Sequence, residues 1–380
     1  MKKHTIIIFS SNGGGGHSAA SAALKHYLYN DYDVEIINIF HELLPSLDIF
    51  RYLTGYHYSG EELYNLLIQK KYFRLLSYFS IFGSWYIQLQ KHRINTILHR
   101  YCATKSPNLI ISVIPYINDI ILTVAQELDV PFLIIPTDLD SKTYCKNIYR
   151  PAYKKLYIGL AFNDQKIINQ VKKSILQENI FIIGPVVKIN FLENKNKDQL
   201  NKQHNSTPSP FTIMILMGAQ GCNTILDYLR LLLQISYPLH IIVCIGNNTM
   251  LKHAIEALSL PPTISLEIVG FTDKIAEYMA KSDILISKSG TLSVWEALCM
   301  NLPLILDATS FILPWERFNH TFVHTHTFGT SVHHYEDIIP LIQEMIEKPS
   351  LLQRYRNNIA LFEKKNCYKE VKELVRKIIR

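Results

Sequence analysis

Long hydrophobic runs and paired cysteines are both missing from this sequence. The first apolar run, Ile6–Phe9, is too short for the core of a signal peptide, and the longer one at 109–125 is interrupted by Pro115, Asn118 and Asp119. We therefore expect neither a leader nor a membrane-spanning helix. The six cysteines form no CxxC pair and no metal-ligand spacing, which predicts a reduced, cytoplasmic setting with structural thiols.

Acidic residues are fewer than basic ones, 32 against 39, and the net charge is +7 with an isoelectric point near 8.9. This balance favours an anionic partner, and nucleic acid, a nucleotide or an acidic membrane surface would each qualify. Hydrophobic residues make up 48% of the chain, as in ordinary folded proteins. Because 380 residues exceed what one core usually contains, we expect two domains.

The stretch 283–319 contains one complete βαβ unit, in which an apolar strand, a short glycine turn, a helix and a second apolar strand follow one another. The first amides of a helix lack intrahelical partners and the aligned peptide dipoles attract anions, so we expect a phosphate group at Gly290 and Thr291. Glu296, within the first two turns, would repel phosphate but suits the vicinal hydroxyls of a ribose. The pattern predicts a nucleotide site.

A second glycine turn lies near the N-terminus, where an apolar strand at 5–10 is followed by four consecutive glycines, His17 and an alanine-rich helix. Glycines allow a tight turn and the close approach of a ligand. The loop is not a Walker A motif, because no Gly-Lys-Ser/Thr follows. A relaxed dinucleotide fingerprint, Gly14-x-Gly16-x-x-Ala19, remains an alternative, although its acidic residue would be Asp33 or Glu35, at the start of the next strand rather than its end.

Strands and helices alternate on both sides of a polar, proline-containing stretch at 193–210, which we interpret as a linker. The alternation predicts an α/β protein with two doubly wound parallel sheets and a cleft between them. Asp138 follows the strand at 131–136, where the ligand edge of a parallel sheet is expected. It would orient a base or a sugar hydroxyl there, or it would simply cap a turn.

The segment 70–100 is basic and aromatic. Its cations and rings are Lys70, Lys71, Arg74, Lys91, Arg93, Arg100, Tyr72, Phe73, Tyr78, Phe79, Phe82, Trp85 and Tyr86. Such a composition suits the headgroup boundary of an anionic membrane. The alternative is that the rings form the buried face of a helical hairpin, and the two interpretations can hold for different residues.

Three stretches together resemble a known family: SSNGGGGHSAASAAL at the N-terminus, GFTDKIAEYM at 270–279, and SKSGTLSVWEAL with the later ERFN. They are similar to GT-B glycosyltransferases of the monogalactosyldiacylglycerol synthase and processive diacylglycerol glucosyltransferase type, which are related to the peptidoglycan UDP-N-acetylglucosamine transferase. The resemblance covers both halves and implies two Rossmann-like domains whose parallel sheets face each other across a cleft. It implies an acceptor domain at 1–190, a linker at 191–210, a UDP-sugar domain at 211–350, and a C-terminal helix at 351–380 that returns to the first domain.

The resemblance also implies roles for individual residues. His17 would be the general base that removes the proton of the acceptor hydroxyl, its ring kept neutral by the helix N-terminus, and Asp138 is the second catalytic candidate. The acceptor loop would be Gly14, Gly15 and Gly16. The expected UDP-sugar contacts are Gly218, Gly221, Gly270, Phe271, Lys288, Ser289, Gly290, Thr291, Glu296, Glu316 and Asn319. Trp315 stands where relatives have a glutamine, which leaves the identity of the sugar open.

The implied function is an inverting transfer of a hexose from a UDP-sugar to a lipid, diacylglycerol, by a protein on the cytoplasmic face of a membrane. The expected partners are the UDP-sugar, the lipid and an anionic membrane surface that meets the segment 70–100, with no nucleic acid. We expect no metal and no other cofactor, since helix N-termini and Lys288 would offset the charge on the leaving UDP. A UDP-sugar 2-epimerase on the same fold and a non-catalytic nucleotide- or lipid-binding protein are the alternatives, and the oligomeric state is left open.

Overall fold

The protein folds into two α/β units, described by a computed structural model for residues 3–149, 153–193, 210–218 and 221–380. One unit lies within Met1–Tyr64, Ser77–Ile189 and Lys364–Arg380, and the other within Asn65–Leu76 and Asn190–Glu363. Most of the predicted linker at 191–210 lies outside the described residues. Residues 65–76, which the sequence prediction includes in the first domain, group with the second unit.

The sheet of the first unit has six strands in the order β2-β1-β3-β4-β5-β6. The strands are β1 (Thr5–Ser10), β2 (Asp33–Asn38), β3 (Leu109–Ser112), β4 (Phe132–Ile134), β5 (Leu156–Leu160) and β6 (Ile180–Ile182). Every neighbouring pair is parallel. β1 and β3 are buried on both faces, as their continuous apolar runs predict for a parallel sheet covered by helices.

Helices accompany these strands along residues 16–192. They are α1 (Gly16–Leu28), α2 (Ile49–Leu53), α3 (Gly60–Gln69), α4 (Phe73–Leu89), α5 (Lys91–Lys105), α6 (Asn118–Glu127), α7 (Gln165–Val171) and α8 (Ile189–Leu192). The C-terminal helix of the chain, at 367–379, packs against α1, where the Tyr27 hydroxyl lies 3.0 Å from the Cys367 sulfur.

The second sheet also has six parallel strands, in the order β12-β11-β10-β7-β8-β9. They are β7 (Phe211–Leu216), β8 (Leu239–Gly246), β9 (Ile264–Gly270), β10 (Ile284–Lys288), β11 (Leu304–Asp307) and β12 (Gly329–Val332). The helices of this unit are α9 (Thr224–Leu232), α10 (Thr249–Glu256), α11 (Ile275–Ala280), α12 (Thr291–Cys299), α13 (Arg317–Thr325), α14 (Ile338–Glu347) and α15 (Pro349–Leu361). The last helix, α16 (Cys367–Ile379), belongs to the first unit.

The predicted α/β class with two parallel sheets is confirmed, and the βαβ unit at 283–319 is present as β10, α12 and β11. One difference concerns the C-terminal region, which the sequence predicts as helical from Leu351. It consists of two helices, α15 and α16, because Phe362 adopts an extended conformation and ends the first.

The basic and aromatic segment contains both buried and exposed rings. Phe73 is buried and Phe79 stacks on Phe50 with ring centroids 4.4 Å apart. By contrast, Tyr78, Ile81, Trp85 and Leu89, at helical spacing along α4, are 58 to 70% exposed; we call these four residues the α4 strip. The buried rings agree with the hairpin interpretation, whereas contact of the exposed residues with a membrane stays a prediction. Among the described residues no helix combines the length and apolar composition that crossing a bilayer requires.

Candidate active site

The glycine loop lies where the strand order of the first sheet reverses. β1 is flanked by β2 on one side and by β3 on the other. Strands after β2 are therefore added on the opposite side of β1, and the strand order reverses between β1 and β3. In open parallel sheets, ligands bind in the crevice at the carboxyl ends of the two strands that flank such a reversal. The loop that follows β1, 11–15, and the start of α1 occupy this edge.

Backbone conformation and one carboxylate shape the loop. Gly14 and Gly15 have φ of 74° and 88°, which a residue with a Cβ rarely adopts. Glu61 on α3 accepts hydrogen bonds from the Ser11 hydroxyl at 2.6 Å and the Asn12 amide at 2.7 Å. The carboxylate thus fixes the start of the loop. Sequence reasoning did not single out Glu61, because nothing local links it to a loop some fifty positions earlier.

His17 sits at the start of α1 and its ring is held from one side. Its Nδ1 lies 2.9 Å from the Val113 carbonyl, just past β3, and 2.9 Å from the Thr137 hydroxyl, just past β4. A carbonyl oxygen can only accept, so Nδ1 carries the proton and the lone pair of the neutral ring is on Nε2. Burial lowers the pKa of His17 to about 4, against the upward effect of the Val113 carbonyl, and the ring is neutral at pH 7. The sequence suggests the helix N-terminus as the reason why the His17 ring is neutral, and burial is a second reason.

Asp138 is brought near His17 through two hydroxyl groups. The phenol oxygen of Tyr144 lies 2.7 Å from the Thr137 hydroxyl and 3.2 Å from the Asp138 carboxylate. The Thr137 amide also donates to that phenol at 3.2 Å. Asp138 therefore belongs to the hydrogen-bond network around the predicted base. The sequence predicted only that Asp138 lies at the ligand edge of the sheet. Tyr144 was not identified from the sequence, since nothing in its surroundings marks a buried phenol.

The second sheet reverses its order between β7 and β10, so its ligand edge lies at the loops that follow these strands. The loop after β7 includes Gly218, and a Cβ at that position would lie 3.1 Å from Cε of Lys288, the last residue of β10. Gly221 is required for packing, because a Cβ there would lie 1.9 Å from the Ile245 carbonyl oxygen. Residues 219 and 220 lie outside the described chain.

The N-terminus of α12 carries the predicted phosphate loop. Gly290 is the N-cap and has no side chain with which to cap the first turn, whose amides can therefore bind an anion. Asn319 on α13 lies behind this loop, 0% exposed, and its amide nitrogen donates to the Ser289 carbonyl and to the Thr291 hydroxyl. Asn319 is therefore a support of the loop.

Charged residues lie beside the same loop. The Lys288 ammonium is 3.3 Å from a carboxylate oxygen of Glu316, and both side chains are largely buried. Glu296 lies in the second turn of α12 and is 8% exposed. Phe271 follows β9 and is 69% exposed, with Gly270 beside it where a Cβ would meet nothing within 4 Å. An exposed ring next to an open backbone can stack against a planar base.

The structure thus brings together two sets of predicted residues, each in its own unit. His17, Asp138 and the three loop glycines share one sheet edge, and Lys288, Ser289, Gly290, Thr291, Glu316 and Asn319 share the other. Over the described ranges, no three His, Cys, Asp or Glu side chains are grouped so as to hold a metal ion.

Comparison with known proteins identifies the type of domain at the second edge. Residues 212–366 match the glycosyltransferase family 28 C-terminal domain. The processive diacylglycerol beta-glucosyltransferase of Bacillus licheniformis is 22% identical over 339 residues, covering 86% of this chain and 82% of that protein.

Solved structures share the fold over the whole chain. MurG from Acinetobacter baumannii superposes with a TM-score of 0.63 at 14% identity, covering 99% of this chain and 100% of that one. UDP-GlcNAc 2-epimerase from Neisseria meningitidis superposes with a TM-score of 0.57 at 16% identity, covering 99% and 100%. Two six-stranded parallel sheets and these relatives give the chain the fold of the GT-B glycosyltransferases, and residues 212–366 carry the glycosyltransferase family 28 C-terminal domain.

Proposed function

We propose that this glycosyltransferase moves a hexose from a UDP-sugar to diacylglycerol, with inversion at the anomeric carbon, on the cytoplasmic face of a membrane. The acceptor oxygen attacks the anomeric carbon from the side opposite to the diphosphate, and the bond to UDP breaks as the new bond forms. His17 removes the hydroxyl proton during this attack.

The observation that carries the donor assignment is the uncapped N-terminus of α12 at the order reversal of the second sheet. It offers first-turn amides and a positive helix end to the diphosphate. Lys288 adds a cation, which in this proposal offsets the charge on the departing UDP without a metal. Phe271 would stack on the uracil, Glu296 would bind the ribose, and Glu316 would contact the hexose.

The tautomer of His17 supports its role as base. Because Nδ1–H donates to the Val113 carbonyl, Nε2 is the atom that can take a proton, and the low pKa keeps it unprotonated at neutral pH. Because Gly14 and Gly15 have no Cβ, a bulky acceptor could approach this loop closely.

Two observations support a lipid acceptor at a membrane surface. Relatives that are 22% and 24% identical to this chain are named as processive diacylglycerol beta-glucosyltransferases. The α4 strip exposes four large apolar side chains on one face of a helix, with the exposed cation Arg74 on the same helix. Exposed apolar rows flanked by cations are typical of surfaces that insert into anionic headgroups.

The test is transfer from labelled UDP-glucose, UDP-galactose and UDP-N-acetylglucosamine to vesicles that contain diacylglycerol and an anionic phospholipid. We expect glycolipid with one of these donors, with the β configuration by NMR, and with activity retained in EDTA. His17→Ala should abolish transfer while UDP affinity by calorimetry stays within about twofold of wild type. No transfer with any donor would exclude this function, and donor conversion without acceptor would favour an epimerase.

A further inference from the structure

Four groups form an unbroken series of polar contacts in the first unit. The Nδ1 atom of His17 lies 2.9 Å from the Thr137 hydroxyl, that hydroxyl lies 2.7 Å from the phenol of Tyr144, and the phenol lies 3.2 Å from the Asp138 carboxylate. Tyr144 is 0% exposed, so its phenol meets protein groups rather than bulk water. Through these contacts the carboxylate is linked to the predicted base by way of two hydroxyl groups.

The direction of these hydrogen bonds follows from what each atom can do. The Asp138 carboxylate can only accept, so the Tyr144 phenol donates to it. The phenol oxygen is then an acceptor for the Thr137 hydroxyl, whose own oxygen shares the Nδ1–H of His17 with the Val113 carbonyl, each acceptor 2.9 Å from Nδ1. A second acceptor for the phenol proton, the Val113 carbonyl, is farther away at 3.5 Å. All three donors thus point from the histidine toward the carboxylate.

Protonation states agree with this direction. Burial and, to a smaller extent, the charge of Asp138 raise the pKa of Tyr144 well above its ordinary value, so the phenol keeps the proton that it donates. Aligned hydroxyl groups polarise one another, and an anion at the end of such a series stabilises a positive charge at its start.

We propose that Thr137 and Tyr144 are positioning residues that couple the Asp138 carboxylate to His17, so that the imidazolium formed during glycosyl transfer is stabilised. This inference rests on the proposed base role of His17. The proton of the acceptor hydroxyl goes to Nε2, and the electron pair of that oxygen forms the bond to the anomeric carbon. The electron pair of the broken bond leaves with UDP, and no proton moves along the hydroxyl groups. Their oriented dipoles and the carboxylate lower the energy of the charged ring.

The coupling explains how a partly buried histidine can act as a base. Burial alone makes the imidazolium costly, as the low pKa of His17 indicates. A carboxylate in direct contact with the His17 ring would instead favour its protonation before the reaction begins. The two hydroxyl groups keep the anion at a distance in the resting state and still transmit its field when the charge forms.

The test compares variants that remove single oxygen atoms. Thr137→Val and Tyr144→Phe preserve shape, and Thr137→Ser retains the hydroxyl. Tyr153→Phe is the control, because Tyr153 is another tyrosine of the first unit whose hydroxyl donates to backbone carbonyls of Ala125 and Val130 and not to this network. We expect Thr137→Val and Tyr144→Phe to lower kcat about 10- to 100-fold with KM for the UDP-sugar within about twofold. Thr137→Ser and Tyr153→Phe should stay within about threefold of wild type.

A double-mutant cycle separates coupling from independent effects. If the groups act in series, Tyr144→Phe combined with Asp138→Asn should be no slower than the slower single variant. Multiplied effects would overturn the proposal, as would wild-type kcat in Tyr144→Phe. A fall in stability with kcat unchanged in the folded fraction would also overturn it.

Nitrogen-15 NMR of the histidine rings gives a reading that needs no activity. His17 should have a protonated Nδ1 and an unprotonated Nε2 at pH 7, and the opposite tautomer would overturn the proposal. An inactive wild-type protein with the expected tautomer would reject the proposed function, and this inference with it. An active wild type with an unaffected Tyr144→Phe variant would reject this inference alone.

Discussion

The side-chain amide of Asn319 donates a hydrogen bond to the Thr291 hydroxyl, 3.0 Å away, and another to the Ser289 carbonyl. Asn319 belongs to α13, and the two acceptors flank the glycine that caps α12. One buried amide therefore fixes the loop on which the diphosphate is proposed to bind. The family resemblance associates Asn319 with the donor. Asn319 can serve the donor indirectly, by holding the backbone of the loop that is proposed to bind the diphosphate.

Asn319→Ala should weaken UDP binding about tenfold, because the loop loses both hydrogen bonds that orient its amides. The free energy of unfolding should fall by about 1 to 3 kcal/mol, since the Ser289 carbonyl and the Thr291 hydroxyl lose a buried donor. Calorimetric titration with UDP and urea unfolding measure the two effects. Asn357→Ala, on the exposed surface of α15, should change neither quantity. Unchanged UDP affinity in a destabilised Asn319→Ala protein would contradict the supporting role.

Lys288 and Glu316 allow the diphosphate and hexose roles to be separated. Their ion pair of 3.3 Å means that the carboxylate competes with phosphate for the ammonium. Lys288→Met should weaken UDP binding about tenfold, and the loss should shrink at high salt, where the contribution of charge is screened. Glu316→Gln should leave UDP binding equal or tighter, because it frees the ammonium.

The same Glu316→Gln variant should lower kcat/KM for the UDP-sugar, if the carboxylate holds the hexose. Comparing the Kd of UDP with the kcat/KM of the UDP-sugar in one protein makes the distinction. Equal losses in both would show that Glu316 serves only to place Lys288.

Much of the fold is predictable because buried parallel strands are continuous apolar runs. The strand at Thr5–Ser10 coincides with the predicted one, and the glycine turns that follow strands mark the ligand edges. The strand order is not predictable in this way, since it depends on which strands pair in three dimensions. The reversals at β1 and β3 and at β7 and β10 therefore emerge only from the structure.

The contacts that tune the site are the least predictable part. Thr137 lies 120 positions from His17, and Glu61 lies 50 from Ser11, so no local pattern connects them. Burial also depends on residues that are distant in sequence. The low pKa of His17 results from packing of other parts of the chain around its ring. Sequence identifies residue types suited to chemistry, whereas their protonation and support depend on tertiary packing.

Stability should fall as the pH is lowered from about 6.5 to about 4. Burial lowers the pKa of both His17 and His320 to about 4, whereas an unfolded histidine takes its proton near 6.5. In this range the unfolded chain binds protons that the folded chain excludes, so protonation favours unfolding. Above pH 6.5 both forms are neutral and the effect is absent, and below pH 4 it no longer grows.

Urea unfolding at pH 7.5, 6.0, 5.0 and 4.5 measures this dependence. His320→Gln should reduce the slope by at most about 1.4 kcal/mol per pH unit, the contribution of one proton. The exposed His57→Gln serves as the matched control and should leave the slope unchanged. An unaltered slope in His320→Gln would mean that the buried ring is protonated in the folded protein.

Membrane binding should depend on the α4 strip. Tyr78 and Trp85 are 70% and 58% exposed, and replacing both by serine removes the largest part of the apolar face without disturbing buried contacts. Burial of one such ring in the headgroup boundary stabilises binding by roughly 1 to 2 kcal/mol, so the double variant should bind vesicles about 30- to 1,000-fold more weakly. Co-sedimentation with phosphatidylglycerol vesicles measures the change.

The matched control for this surface is Tyr149→Ser, because Tyr149 is 84% exposed in the same unit but does not belong to the α4 strip. Vesicle affinity should be unchanged in this control, and UDP affinity should be unchanged in all of these variants, since none of the altered side chains lies at the proposed donor site. Transfer to diacylglycerol in vesicles should fall in parallel with vesicle binding in Tyr78→Ser/Trp85→Ser. Transfer to a short-chain, water-soluble diacylglycerol should persist, because that acceptor reaches the protein without a membrane. If both acceptors lose activity equally, the α4 strip contributes to acceptor binding itself and not to attachment.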